Sequence, residues 1–215
     1  MSLRIGIMGG LFNPVHYGHL RAATEARDLL ALDRVHFLPC AVPPHREAPG
    51  VSAELRARMV EAALQGAQGL VLDARELALP APSYTVRTLE DMHREMPQAS
   101  FVLLLGEDAF RGLPRWHQWQ RIPELAHVAV LRRPGAENAP YPDALREWAA
   151  KAETAPGTLF ESQAGGLTHC KVTALDISST RIRELLQAGR DPRYLLPDAV
   201  LDIIARENLY RGKTT

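Results

Sequence analysis

Short apolar runs alternate with amphipathic helical patterns along almost the whole chain. Apolar runs of this kind predict buried strands, and apolar residues at helical spacing between them predict helices. This alternation is typical of an α/β fold, a mostly parallel sheet with helices on both faces and right-handed crossovers. We expect strands over residues 3–8, 35–38, 70–72, 101–105, 128–131 and 167–173, and helices over residues 18–32, 52–65, 84–96, 143–151, 179–188 and 198–208.

In a doubly wound sheet, ligands bind beyond the carboxyl ends of the strands, where the strand order reverses. The length of 215 residues suits one domain over residues 1–215, with a C-terminal helical part over about 178–210. We expect residues 211–215 to form a flexible tail. The sequence does not predict the oligomeric state, so a monomer and a homodimer both stay open.

The charge balance argues against general nucleic-acid binding. Lys and Arg total 25, as do Asp and Glu, so the formal net charge is zero. Proteins that bind nucleic acid non-specifically usually carry a basic excess. No stretch approaches the ~18 apolar residues of a membrane span, and the N-terminus lacks the regions of a signal peptide. Cys40 and Cys170 lie far apart in the sequence and fit no zinc or redox spacing, so we expect reduced thiols and a cytoplasmic location.

The segment after the first strand contains two glycines followed by two histidines. Gly9 and Gly10 allow a tight turn and close approach to a ligand, and His16 and His19 share a face if they lie in the first helical turn. Imidazole donors beside a helix N-terminus suit a polyphosphate. The segment lacks the dinucleotide-binding and P-loop glycine patterns. A zinc site is an alternative, although the motif offers no Cys or carboxylate ligand.

A second segment near the C-terminus offers hydroxyl and guanidinium groups. Ser178 or Ser179 is a good N-cap for the helix that follows. Arg183 lies three residues after Thr180, so both side chains can face the same anion. A solvated, capped helix without a ligand is the alternative interpretation.

Together, these two segments resemble the nucleotidyltransferase superfamily with the HxGH signature. Gly9–His19 reads GGLFNPVHYGH, and Ile177–Arg183 reads ISSTRIR, which is similar to the superfamily's I-S-S-T-x-I-R motif. The resemblance implies a Rossmann-like fold of the nucleotidyltransferase type. It also implies transfer of a nucleotidyl group from a nucleoside triphosphate to a phosphate-bearing acceptor. The motif does not identify the acceptor.

Segments in the middle of the chain narrow the choice of acceptor. They are Pro43–Arg46 (PPHR), Pro82–Leu89 (PSYTVRTL), Gly106–Asp108 (GED) and Leu113–Trp119 (LPRWHQW). With the two motifs above, they resemble bacterial nicotinate-nucleotide adenylyltransferases from Arg4 to about Tyr210. The chain departs from the family where Asn13 replaces a frequent Asp and Arg46 a frequent Lys. The first change removes a charge near the phosphates, and the second alters the geometry of the cation.

The resemblance implies direct in-line attack of the phosphate of nicotinate mononucleotide on the α-phosphorus of ATP, with Mg²⁺ carried on the ATP phosphates and no protein-held metal. It assigns catalytic roles to His16, His19 and Arg183. It places ATP against Gly9, Gly10, Phe12, His16, His19, Gly106, Asp108, Ile177, Ser178, Thr180 and Arg183. It places nicotinate mononucleotide against Gly10, Leu11, Phe12, His45, Arg46, Tyr84, Thr85, Trp116 and Arg133.

Other interpretations stay open at this point. Pantetheine-phosphate adenylyltransferases and cytidylyltransferases share the HxGH motif, but the aromatic and PSYT elements have no role there. A nucleotide-sensing module would bind ATP without turnover. Class I aminoacyl-tRNA synthetases also carry a similar motif, but this chain is short and lacks a basic excess.

Overall fold

A computed structural model describes residues 2–43, 50–132 and 140–211. Within these residues the strands form a six-stranded, all-parallel sheet in the order β3-β2-β1-β4-β5-β6. The α/β doubly wound prediction is therefore confirmed. The strands are β1 Arg4–Gly10, β2 Arg34–Pro39, β3 Leu70–Leu72, β4 Ser100–Gly106, β5 His127–Arg132 and β6 Leu167–Lys171.

Helices cover both faces of the sheet. They are α1 Tyr17–Leu29, α2 Ala53–Ala63, α3 Arg75–Ala78, α4 Thr85–Glu95, α5 Glu107–Arg111, α6 Ile122–Leu125, α7 Asp143–Ala152, α8 Ser179–Gln187 and α9 Asp198–Arg206. Short 3₁₀ turns occupy Leu113–Arg115, Trp119–Arg121 and Pro156–Glu161. In the described part of the chain, no helix combines the length and apolar character needed to cross a bilayer.

The apolar residues of the strands divide between the two faces with a period of two. In β4, Val102 and Leu104 pack with α1, α2, α8 and α9, whereas Phe101, Leu103 and Leu105 pack with α4 to α7. Burial on both faces explains why this strand reads as a continuous apolar run.

The bounds of several predicted elements differ from the structure, among them those of β1, α1 and β6. β1 continues through both glycines because Gly9 and Gly10 still pair with the end of β2. α1 ends at Leu29 instead of continuing to residue 32, since Ala31 takes a left-handed φ of 47°. β6 ends at Lys171 instead of residue 173, because the amide and hydroxyl of Thr173 donate to the Glu25 carboxylate at 2.6 Å each.

One buried histidine lies at the start of β5. The Nδ1 atom of His127 accepts from the Gly166 amide at 3.1 Å, and Nε2 lies 3.2 Å from the Ser162 carbonyl. This geometry suits the neutral ring with its proton on Nε2. Burial also lowers the pKa of His127, which favours the same neutral form.

Candidate active site

The strand order reverses between β1 and β4. From β1 the chain adds β2 and β3 on one side, and it then adds β4, β5 and β6 on the other side. Gly10 ends β1 and Gly106 ends β4, so both glycines lie at the carboxyl edge of the reversal. A doubly wound sheet binds its ligands in the crevice at this point. The sequence motifs are therefore located where the fold provides a cleft.

The two histidines lie at the N-terminus of α1. His16 is the N-cap residue, and its ring stacks on that of His19 with centroids 3.7 Å apart. The His16 amide donates to Nδ1 of His19 at 3.3 Å, which leaves the proton of neutral His19 on Nε2. The predicted shared face is confirmed. His16 is only 5% exposed, so a ligand reaches no more than one edge of its ring.

Gly18 fits closely beside the same ring. A Cβ atom at this position would lie 3.0 Å from both Cε1 and Nδ1 of His16 and 3.6 Å from the carbonyl oxygen of Ile177. Any larger residue would displace the imidazole. The glycine in the HxGH motif thus leaves the space that the His16 ring occupies.

The N-terminal loop and the C-terminal motif are in direct contact. Arg183 Nη1 donates to the Asn13 carbonyl at 2.8 Å, and the Ser179 hydroxyl donates to the Pro14 carbonyl at 2.8 Å. These bonds hold the N-terminus of α8 beside the N-terminus of α1. The two motifs, which the resemblance assigns to the same ATP, are therefore in contact at the carboxyl edge of the sheet.

The first turn of α8 also has the predicted cap and cation. The Ser178 hydroxyl accepts from the Arg181 amide at 3.1 Å, so Ser178 is the N-cap. Arg183 Nη2 lies 3.3 Å from Thr180 Oγ1. Thr180 is exposed and Arg183 is half-buried, so the hydroxyl and the guanidinium lie side by side at the surface of the cleft.

A second group of predicted residues surrounds the N-terminus of α4. Thr85 begins this helix, and Tyr84 occupies the N-cap position without a capping bond from its side chain. The Tyr84 ring stacks on His117 with centroids 4.2 Å apart, which joins α4 to the loop that carries Trp116. Trp116 is partly buried against the core on this face, so part of its surface packs in the protein interior.

The remaining predicted residues fall into two groups. Gly106 and Asp108 are exposed after β4, whereas the Phe12 ring is 3% exposed and packs on Phe37 and His19. A ligand can therefore reach Phe12 only through its backbone, which has a left-handed φ of 47°. The assignments of His45, Arg46 and Arg133 lie outside the described residues.

Sequence reasoning missed two residues that hold the site. Arg56 in α2 is 1% exposed and donates to the carbonyls of Val51, Leu11 and Ala41. An arginine in an amphipathic helix usually faces solvent, so the pattern gave no signal. The buried hydroxyl of Tyr210 hydrogen bonds to Asn13 Oδ1, and burial raises the pKa of Tyr210.

The donors of the site suit an anion better than a metal ion. Within the described residues there is no cluster of three or more His, Cys, Asp or Glu side chains that could hold a metal. The zinc alternative for His16 and His19 therefore has no supporting ligand set there. Imidazole, hydroxyl, guanidinium and main-chain N–H groups are the usual partners of phosphate oxygens.

Comparison with known proteins agrees with this geometry. The family described as cytidylyltransferase-like matches residues 7–185. A protein of Pseudomonas paraeruginosa named as a nicotinate-nucleotide adenylyltransferase is 46% identical over 99% of this chain and 99% of its own length. The chain belongs to the nicotinate-nucleotide adenylyltransferase family. A similarly named protein of Pseudomonas syringae pv. tomato is 47% identical over 99% of this chain and 96% of its own.

The fold of this adenylyltransferase-family chain also matches solved structures. The nicotinic acid mononucleotide adenylyltransferase of Plasmodium falciparum, solved as a complex with NaAD, superposes with a TM-score of 0.72. The superposition covers 97% of this chain and 98% of that one, at 16% sequence identity. At this identity the likeness supports the fold.

Proposed function

We propose that this chain transfers the adenylyl group of ATP to nicotinate mononucleotide, giving nicotinate adenine dinucleotide and pyrophosphate. The observation that carries the proposal is the convergence of two helix N-termini at the strand reversal. α1 and α8 meet there through the bonds of Arg183 and Ser179 to the loop before α1. Helix N-termini carry partial positive charge and exposed N–H groups, so together they favour a polyphosphate.

The proposed reaction is a direct displacement. An oxygen of the acceptor phosphate forms a bond to the α-phosphorus of ATP as the bond from this phosphorus to the bridging oxygen breaks. The electron pair leaves with pyrophosphate. The attacking phosphate is already ionised, so no general base is required, and catalysis depends on positioning and charge stabilisation.

His19 and Arg183 stabilise the charge that moves onto the departing phosphates. The neutral His19 ring donates through Nε2, as its Nδ1 accepts from the backbone. Arg183 uses part of its N–H set to hold Asn13 and Thr180, and its other donors serve the triphosphate. His16 fixes the orientation of His19 through the stacked rings. The substrate is ATP with Mg²⁺ bound to its phosphates.

The acceptor lies between β1 and α4. The resemblance assigns its phosphate to His45 and Arg46, which lie outside the described residues, and the backbone of Gly10 and Leu11 lines the same site. Its carboxylate takes the Thr85 hydroxyl and the main-chain N–H groups that begin α4. The partly buried Trp116 stacks on the pyridine ring. Asp108, exposed after β4, contacts the ribose hydroxyls.

Product identification tests the proposal directly. The chain is incubated with ATP and Mg²⁺ and, in separate reactions, nicotinate mononucleotide, nicotinamide mononucleotide or phosphopantetheine. We expect a dinucleotide, resolved by chromatography, and pyrophosphate with the acid, and far less with the amide. Equal use of acid and amide would contradict the carboxylate site. ATP binding without pyrophosphate release would support a nucleotide-sensing module instead.

The His19→Ala variant tests the catalytic assignment. Loss of one preorganised donor should lower kcat by roughly 10²–10³ and leave the fold intact. Wild-type turnover by this variant would remove His19 from the mechanism. Cytoplasmic location, a monomeric or homodimeric state and the absence of nucleic-acid and membrane partners stay predictions.

A further inference from the structure

The loops that follow β1 and β2 are joined by a buried guanidinium. Arg56 projects from α2 and donates through Nη1 to the Leu11 carbonyl at 2.8 Å. Its Nη2 donates to the Ala41 carbonyl at 3.2 Å, and its Nε donates to the Val51 carbonyl at 3.3 Å. Among the described residues, the hydrogen-bond partners of this cation are these three carbonyls. Arg56 therefore joins the two loops beyond the last backbone bond between them, in which the Cys40 amide donates to the Gly10 carbonyl at 2.9 Å.

The second loop is in turn fixed to the start of α4. The Ser83 hydroxyl accepts from the amides of Ala41 at 3.2 Å and Val42 at 3.3 Å, and the Ser83 amide donates to the Val42 carbonyl at 3.0 Å. Tyr84 and Thr85 follow immediately. The hydrogen bonds thus run from Leu11 through Arg56, Ala41 and Ser83 to the N-terminus of α4, a path called the Arg56 bridge below.

The ends of the Arg56 bridge coincide with the ends of the proposed acceptor site. In the proposed function, Leu11 lines the acceptor site just after β1, and Thr85 lies where the acceptor carboxylate is expected. A mononucleotide of fixed length binds both ends well only when their separation is held. Hydrogen bonds to a charged donor are about twice as strong as neutral ones, so a guanidinium is well suited to hold it.

A buried carboxyl supports the far end of the bridge. Glu76 is 9% exposed and accepts from the Thr88 hydroxyl in α4 at 2.9 Å. Burial raises the pKa of Glu76, and hydrogen bonds from Thr88 and Ser83 oppose that shift.

We propose that Arg56 is a positioning residue that sets the length of the acceptor site by holding Leu11 and Ala41 at a fixed separation. It does not touch the substrate. Its effect therefore falls on binding of nicotinate mononucleotide and not on the ATP clamp formed by α1 and α8. This inference rests on the proposed function.

The test compares Arg56→Met, Arg56→Lys and Ser83→Ala with wild type, using purified full-length protein. We expect Arg56→Met to raise the KM for nicotinate mononucleotide about tenfold, equivalent to about 1.4 kcal/mol, with the KM for ATP within about twofold of wild type. Arg56→Lys keeps the charge and one donor, so it should recover part of the affinity. Arg58→Met is the matched control, since Arg58 lies on the same helix, is exposed and pairs with Glu207.

The Ser83→Ala variant removes the hydroxyl that accepts from the Ala41 and Val42 amides. It tests the same bridge if Arg56→Met does not fold. Ser83→Ala should also raise the KM for nicotinate mononucleotide. The double variant with Arg56→Lys and Ser83→Ala should raise this KM by less than the product of the two single effects, as expected for residues in one network. An unchanged KM for nicotinate mononucleotide in folded Arg56→Lys and Ser83→Ala proteins would overturn the inference. Equal increases in the KM of both substrates would also overturn it. Failure of wild type to form the dinucleotide would instead reject the proposed function.

Discussion

Replacing Gly18 with alanine should separate catalysis from stability. The new Cβ would lie 3.0 Å from two atoms of the His16 ring, whereas ordinary contacts between carbon atoms are about 3.5–4.0 Å. The ring must therefore shift by a few tenths of an ångström, at most about half an ångström. Because His16 stacks on His19 at 3.7 Å, this shift moves the proposed phosphate donor as well.

The substitution should lower kcat but should not lower Tm. A displacement of about 1 Å at a catalytic group can cost about 10²-fold in rate, so a shift of half that size predicts about a tenfold lower kcat. Alanine also favours a helix over glycine by about 0.5–1 kcal/mol in helix interiors. Gly18 lies in the first turn of α1, so we expect a Tm that is unchanged or slightly raised.

Steady-state kinetics and thermal unfolding on the same preparation check both expectations. Gly157→Ala is the control, because a Cβ at Gly157 meets nothing within 4 Å. It should leave kcat unchanged. A wild-type kcat in Gly18→Ala would refute the argument that the position of the His16 ring limits catalysis. A Tm that falls together with kcat would show a general loss of packing instead.

Three further predictions follow from single contacts. Tyr210→Phe removes the hydrogen bond to the Asn13 side chain and should lower kcat/KM for ATP about fivefold, the equivalent of a hydrogen bond worth about 1 kcal/mol; unchanged kinetics would show that Asn13 keeps its position without it. Ser178→Ala removes the cap of α8 and should lower the free energy of unfolding by about 1 kcal/mol, measured by denaturant titration. Burial holds the pKa of His127 below its ordinary value, so its contribution to stability is present above the unfolded pKa of about 6.5 and is lost as pH falls through the lower, folded value. Unfolding free energies measured from pH 8 to pH 4 should fall less steeply in His127→Gln, and identical slopes would contradict the buried neutral ring.

The sequence predicted the strands of the sheet and the two motifs at the N-termini of α1 and α8 because each has a strong local signal. β4 is a continuous apolar run, and Gly10 and Pro14 mark the loop before α1. The short helices α3, α5 and α6 escaped prediction because four or five residues cannot display a helical period. Arg56 escaped for a different reason, since its partners are backbone carbonyls from loops distant in sequence, and carbonyls leave no mark on the residue pattern.

The return of the chain from β6 to β1 makes the site possible. β6 is an edge strand, yet α8, which follows it, contacts the loop after the central strand β1. The segment between them is anchored on α1, where Glu25 accepts both the amide and the hydroxyl of Thr173. A further bond from the Tyr17 amide to the Leu195 carbonyl holds the chain after α8 to the same helix. Because α1 provides one half of the proposed phosphate clamp and also anchors the segments on either side of the other half, these bonds help to hold the two helix N-termini beside each other.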